Sequence, residues 1–556
     1  MKRLLFIGLL MLWPSLLPTA SAQNVTEKLA PLGYGISGEE IYVNSLKISP
    51  DFKHIGYVSR IGGSFRVWLD GVSEKSHMGV TRQSPFFSPQ QNRLAYIAQD
   101  KEDMFVVVDN QEHDRYKQVG TLTFSSDGSR LAYRAEDHQG DQMIVVDGKP
   151  GPKFEVGVSN TPGIVFSPDS KHLAYVGISG NNAAIFVKDN KKLESFEKID
   201  QIKFSPDSKH VAYSAMEKGK WMVVKDDRKG PAYNAAGNLV FSPDGSQLVY
   251  MAEKNRRRIV VRNQEEITGE AGALFPAFSP DGSRFAFLSI RKGGKFSYVI
   301  DGKAELAVDI PGRLIFSHDG SSTAYAARFG DKWHVVKDGV KGPAFKKIAA
   351  FSFSPATNDI LYAADNDEGK TCVVKNTTPG AFYDAIGAAV FSQDGGQYAH
   401  AARRTDSEMF MVVNGVEQKP YPLIGIPFNE ETGQPQMTAQ QPFFSEKGNR
   451  LAYPVYDVKL TKAFMVVDGK PQAQFDAIME PIFSADEKHV AYMAKRDNKW
   501  FMVVDGQPGS LTCDGMIRGA TIAYDPSTHC FFILVASKKE AGLAFFRLEA
   551  EIKKTS

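Results

Sequence analysis

The stretch Leu239-Val240-Phe241-Ser242-Pro243-Asp244-Gly245-Ser246-Gln247-Leu248-Val249-Tyr250 decides the fold. It opens as a short apolar strand ending in Phe and closes as a second apolar strand ending in Tyr. Ser-Pro-Asp-Gly between them is a turn: proline presets φ, aspartate can bond its own backbone, and glycine accepts positive φ. The unit recurs around Ser49, Ser88, Ser125, Ser167, Ser205, Ser242, Ser279, Ser317, Ser354, Ser392, Ser445 and Ser484, with a degenerate copy at Tyr524-Asp525-Pro526. The spacing is 37 to 42 residues, except for 53 between Ser392 and Ser445.

Outward from the turn, each copy has the same grammar. A charged loop leads to a β-rich third strand, such as Trp221-Met222-Val223-Val224 or Trp500 to Val504, which ends at an Asp-Gly turn signal. A weaker fourth strand is expected through Pro231-Ala232-Tyr233 or Gln474 to Ile478. Four short antiparallel strands per repeat make one propeller blade, and no extended helical periodicity competes. The fold class is therefore all-β: tandem β-propellers of about 13 four-stranded blades.

Thirteen blades exceed the usual roughly 4–8 of one ring. The expectation is two rings of six and seven blades, or seven and seven, with a first propeller over 23–308 and a second over 309–556. The boundary falls between 265 and 315. Glu40 to Asn44 are expected to close a ring by pairing near Phe531 and Phe545.

The recurrent F-S-P-D-G/S-x-x-L-A-Y unit resembles the TolB-like family of propeller repeats, related in architecture to WD-repeat propellers. The resemblance runs from about residue 46 to 549. It implies the fold and says little of function, because propellers host binding proteins and enzymes alike. TolB itself resembles an α/β domain followed by one propeller; this chain has no room for such a domain, so TolB's role is not carried over.

The N-terminus reads as an address. Lys2-Arg3 precede the apolar stretch Leu4 to Leu17, and Ala20-Ser21-Ala22 is a small-residue cleavage site, so 1–22 is expected to be a secretory signal peptide cut after Ala22. The apolar run is shorter than the ~20 residues of a spanning helix. The expected location is periplasmic or secreted, with no membrane span after cleavage. Removing Lys2 and Arg3 from 66 basic residues leaves 64, equal to the 64 acidic ones. That neutrality speaks against nucleic acid as a partner.

Residues repeated at the same place in many blades are expected to serve the blade. Phe before the serine and Tyr in the second strand should pack between blades, at ~25 cal/mol per Å² of buried apolar surface. His54, His172, His210 and His489 share one repeat position and cannot converge on a metal; no metal or other cofactor is expected. The aspartates Asp169, Asp207, Asp244 and Asp281 read as turn formers. His400 replaces the repeat's Tyr and is expected to pack rather than to ligate. Trp221, Trp333 and Trp500 open third strands, favouring packing over a glycan platform. Cys372 reads as a buried small residue. Cys513 and Cys530 could bridge, closing a loop at roughly 3 kcal/mol; two buried thiols are the alternative.

No Gly-x-Ser-x-Gly elbow, His-Glu-x-x-His or phosphate loop occurs, so the chain is read as non-enzymatic. The informative places break the repeat. An insertion at Pro427 to Gln440, carrying Glu430 and Glu431, joins a fourth strand to the next first strand. Such connections should share a face with the loops between second and third strands. That face would also carry Arg256, Arg257, Arg258, Arg291, Lys292, Arg328, Arg403 and Arg404. The expected function is an exported scaffold binding a protein or peptide partner of the cell envelope on that face. The alternative is a propeller that binds or cleaves carbohydrate.

Overall fold

The computed structural model describes residues 25–34, 39–405, 408–425, 442–457, 459–539 and 542–553. These form thirteen antiparallel sheets. In chain order the blades span 40–73, 79–112, 118–150, 157–196, 198–229, 235–267, 272–304, 310–341, 347–379, 385–417, 423–471, 477–508 and 515–552, numbered here 1 to 13. Among the described residues one helical turn occurs, Val43–Ser45.

Blade 5 shows how sequence sets the blade. Its strands Lys198–Phe204, Val211–Glu217, Lys220–Lys225 and Arg228–Lys229 lie side by side in chain order. In the first strand Ile199 and Ile202 are buried, while Lys198, Asp200 and Lys203 are exposed. A bulge between Ile199 and Ile202 shifts the register and sharpens the twist. In several blades this bulge splits the first strand in two, as at Glu40–Ile41 and Lys47–Ile48 in blade 1. The second strand is buried on both faces because a blade sits on either side, so it reads Val-Ala-Tyr-Ser-Ala without alternation.

Neighbouring blades share cores. Ala174, Val176 and Phe186 of blade 4 pack with Tyr213, Ala215 and Met222 of blade 5. In most blades the segment after the fourth strand bridges back to the third, and in several it offers an aromatic ring to the next blade's Tyr. Phe154 meets Tyr175 edge-on, as Phe345 meets Tyr362 and Phe475 meets Tyr492. The expected fourth strand is thus two elements. Arg228–Lys229 is the strand, and Tyr233 makes a single bridge to Trp221. Likewise Phe475 bridges Ala463, and Ala477–Ile478 already belongs to blade 12.

The chain closes on itself at blade 13. Val25–Tyr34 runs antiparallel to Gly542–Ile552 from Val25 opposite Ile552 to Tyr34 opposite Ala544. The N-terminal strand therefore supplies the fourth strand of the last blade. Glu40–Ile41, expected in that role, instead pairs with Arg60 and Ser59 inside blade 1. One core joins Tyr57 and Trp68 of blade 1, Met493 and Met502 of blade 12, and Phe531 and Phe545 of blade 13. Lys53 Nζ reaches Asp525 at 2.8 Å across the same junction.

The blades thus follow one cyclic order, each packed on its chain neighbours. A division into two rings between 265 and 315 has no counterpart in these contacts. Blades 6 and 7 share a core of Val249, Val260, Ala273 and Phe285, as other neighbours do. First strands of neighbouring blades also touch one another, which places them on the inner wall.

Candidate functional site

The two ends of the blades carry different chemistry. At the Ser-Pro-Asp-Gly end, wherever the turn carries its aspartate, the serine hydroxyl donates to that residue two positions on, as Ser205 to Asp207 at 2.6 Å and Ser242 to Asp244 at 2.5 Å. The same oxygen accepts the N–H five residues on, as from His210 at 2.9 Å. The serine hydroxyls and a Ser246 contact draw the Asp244 carboxyl down to about 2. These aspartates are turn formers, as expected.

The repeated histidines also serve the blade, through a partner that sequence reading did not name. His54, His172, His210 and His489 each contact the aspartate of the turn that ends their own third strand: Asp70 at 2.5 Å, Asp189 at 2.8 Å, Asp226 at 2.6 Å and Asp505 at 2.6 Å. The Asp70 hydrogen bond raises the His54 imidazole above its ordinary range. Where arginine takes this position it pairs with the aspartate and also reaches the next blade. Arg130 bonds the Lys171 carbonyl at 2.7 Å, and Arg450 bonds that of Lys488 at 2.8 Å. The legible signal is a recurring His or Arg with a turn aspartate 16 to 18 residues later.

At the other end, the second-to-third-strand hairpins and the connections between blades do share a face. Asp309, in the connection before blade 8, accepts the hairpin N–H of Gly330 at 2.7 Å; Asp476 accepts that of Asp497 at 2.9 Å. Lysines opening third strands pair with acids on the same connections, as Lys462 with Asp476 at 2.7 Å and Lys499 with Asp514 at 2.5 Å. Much of the charge on this face is therefore neutralised within a blade.

The candidate cations divide accordingly. Glu270, in the connection between blades 6 and 7, gathers three of them. Its carbonyl accepts from Arg257, its carboxylate accepts from Arg291 at 3.2 Å, and it also accepts the Lys292 N–H at 3.2 Å. That N–H, with Arg291, holds the Glu270 carboxyl below its usual range. Arg404 is held by Glu417 at 2.5 Å and lies over the Phe410 ring, and its neighbour Arg403 also has a partner. Arg328 is half-buried opposite Trp333, with a buried Nε that has no hydrogen-bond acceptor among the described residues. Arg256 and Arg258 are exposed on the blade 6 hairpin, without an ion pair among the described residues. The structure therefore brings the blade 6 and blade 7 cations together, while Arg403 and Arg404 stand on blade 10. Glu430, Glu431 and the Pro427 to Gln440 insertion lie outside the described residues.

Trp221, Trp333 and Trp500 each bridge to the return segment of their own blade, at Tyr233, Phe345 and Cys513. They pack one per blade and do not converge. Cys372, Cys513 and Cys530 are free and buried. Cys513 Sγ lies 3.6 Å from the Trp500 carbonyl and Cys530 Sγ 3.3 Å from that of Phe531, so the bridge is not formed. Burial pushes their thiols up, to about 11 for Cys372 and Cys530 and about 12 for Cys513. Among the described residues no group of three His, Cys, Asp or Glu side chains could hold a metal ion. No helix among them is long and apolar enough to cross a membrane.

No family model matches the chain, and no curated protein matches it. Solved structures do. A eukaryotic initiation factor aligns at 12% identity and a TM-score of 0.31, over 66% of this chain and 96% of its own. The Cps50 (Swd1) β-propeller domain of Myceliophteria thermophila aligns at 12% and 0.22, over 50% and 95%. The β-propeller domain of the Trilobed protease of Pyrococcus furiosus, described as having an open velcro topology, aligns at 10% and 0.24, over 48% and 96%. At these scores the likeness carries no argument; the propeller rests on the blades themselves.

Proposed function

We propose that this chain is an exported, non-enzymatic propeller scaffold that binds a protein or peptide partner on the face carrying the hairpins and blade connections. Export rests on the leader over 1–22, and the periplasm or cell exterior follows from it. The resemblance of the repeat to TolB-like propellers belongs with this reading. One observation carries it: on a face where acids neutralise much of the positive charge, Arg256 and Arg258 stay exposed, without an ion pair among the described residues, beside the Glu270 cluster. A rigid ring with free charge on one rim suits an acidic protein segment, because loops vary without disturbing the core.

The test is a cross-linked pull-down of tagged mature protein from its own envelope or secreted fraction, with mass spectrometry. One dominant protein, lost with R256E/R258E at unchanged melting temperature, supports the reading. Equal capture by the variant removes this patch. Capture of no protein favours the carbohydrate reading, for which added oligosaccharide should raise the melting temperature by ligand linkage.

A further inference from the structure

A groove of about 570 Å³ lies between the first strands of blades 1 and 2, lined by Lys47, Ile48, Pro50 and by Arg82, Gln83, Pro85, Phe86 and Phe87. First strands form the inner wall, so the groove opens there, away from the Arg256 rim. We propose that it is a second binding site, for an extended peptide in which carboxylates flank an aromatic or branched aliphatic side chain.

Three observations specify that occupant. The floor and sides are apolar: Phe86 and Phe87 are only partly buried, and Pro85 seals the base against blade 1. The approach there is close, since a Cβ on Gly56 would stand 3.0 Å from Pro85 and 3.4 Å from Phe87. Two cations flank this surface, Lys47 on blade 1 and Arg82 on blade 2. Both are exposed, and neither side chain has an ion-pair or hydrogen-bond partner among the described residues. Unlike the rim cations, they have no Glu270 beside them, so charge complementarity calls for carboxylates.

The third observation favours a peptide over a free small carboxylate. Lys47–Ile48 and Phe86–Phe87 pair with the second strands of their own blades, at Gly56 and Ile55 and at Ala95 and Leu94. Both are edge strands, so one side of each presents backbone groups without a sheet partner. An extended chain can bond such an edge while its side chains enter the groove. The volume is in the range of ligand pockets, roughly 300–1,000 Å³.

This inference rests on the reading of the ring as a peptide-binding scaffold, and its test needs no knowledge of the natural partner. The probe is a fluorescein-labelled, C-terminally amidated Gly-Glu-Phe-Asp-Leu-Gly peptide, titrated with the purified mature protein and read by fluorescence anisotropy. We expect saturable binding, weakened at least tenfold by K47E/R82E and by F86S, and absent for a Gly-Lys-Phe-Lys-Leu-Gly control. R256E/R258E should bind the probe as the unaltered protein does, which separates this site from the rim. Melting temperature and circular dichroism verify that each variant is folded; K47E/R82E changes only exposed side chains and carries the test if F86S fails to fold. No saturable binding by the unaltered protein, or equal binding by K47E/R82E, overturns the proposal. Either result leaves the pull-down reading of the rim standing or falling by itself.

Discussion

His400 occupies the second-strand position held by Tyr in most blades, and replacing it with Tyr should remove an acid sensitivity from the ring. The residue is 3% exposed, and neither ring nitrogen has a hydrogen-bond partner among the described residues. Tyr383 lies edge-on to it at 6.4 Å, with its hydroxyl turned to Glu417. Burial alone pushes the imidazole from 6.5 down to about 4. The native state therefore binds the proton more weakly than the unfolded chain. Stability is full above pH 6.5 and is lost as pH falls toward 4, by about 3 kcal/mol across that window. A ring of about 500 residues melting as one unit would lose about 3 °C. Tyr should fit: elsewhere the Tyr hydroxyl lies over a glycine of the preceding blade, as Tyr250 over Gly230 and Tyr362 over Gly342, and Gly380 holds the matching place before His400. The assay is thermal and urea unfolding of the mature protein and H400Y at pH 7.0, 5.5 and 4.5. Because other carboxylates titrate equally in both, the difference between them isolates His400. An identical pH slope for the two proteins would refute the reasoning.

Gly177→Ala should destabilise the protein by about 1–3 kcal/mol, against the usual benefit of replacing a strand glycine, because a Cβ there would stand 2.1 Å from the Phe154 ring; a melting temperature equal to or above the unaltered protein's refutes this. Gly245→Ala should cost a similar amount, roughly 1–3 kcal/mol, since Gly245 has φ of 76° and its Cβ would stand 2.4 Å from Asp207 of the preceding blade. The three thiols should resist a thiol reagent in native protein and all react after denaturation without reductant; fewer than three would reveal a bridge. Removing residues 23–34 should expose Phe545 and Phe546 and open blade 13 to proteolysis first, and uniform cleavage along the chain would count against closure by that strand.

The blade was legible because its determinants are local. Ser-Pro-Asp-Gly fixes a turn, and the apolar runs beside it fix two strands, whatever the rest of the chain does. The same columns exposed the histidines and turn aspartates as structural, and both assignments hold in the contacts of His210 and Asp207. The pairing of the histidines with the aspartate that ends the third strand is legible too, as two columns that recur together. The fourth strand was misplaced because a two-residue strand such as Arg228–Lys229 has no hydrophobic signature. The buried aromatic five residues later, Tyr233, looks more like a strand and is only a bridge.

Closure and charge were not legible, for one physical reason: both depend on partners distant in sequence. Val25–Tyr34 carries none of the repeat's motif, because a closing strand needs only to match the far edge of Gly542–Ile552. Its proline and glycine at the register shift make it look like a linker, whereas Glu-Glu-Ile-Tyr-Val at 39–43 looks like a strand and serves blade 1. The rim cations look equivalent in sequence, yet Glu270 and Glu417 occupy some and leave Arg256 and Arg258 without an ion pair among the described residues. Lys47 and Arg82 carry no signal in the sequence, being single charges in two different blades. Only the packing of first strand against first strand sets them on either side of one apolar groove. In a repeat protein the conserved columns therefore report the scaffold, and candidate binding surfaces arise where unrepeated residues of adjacent blades meet.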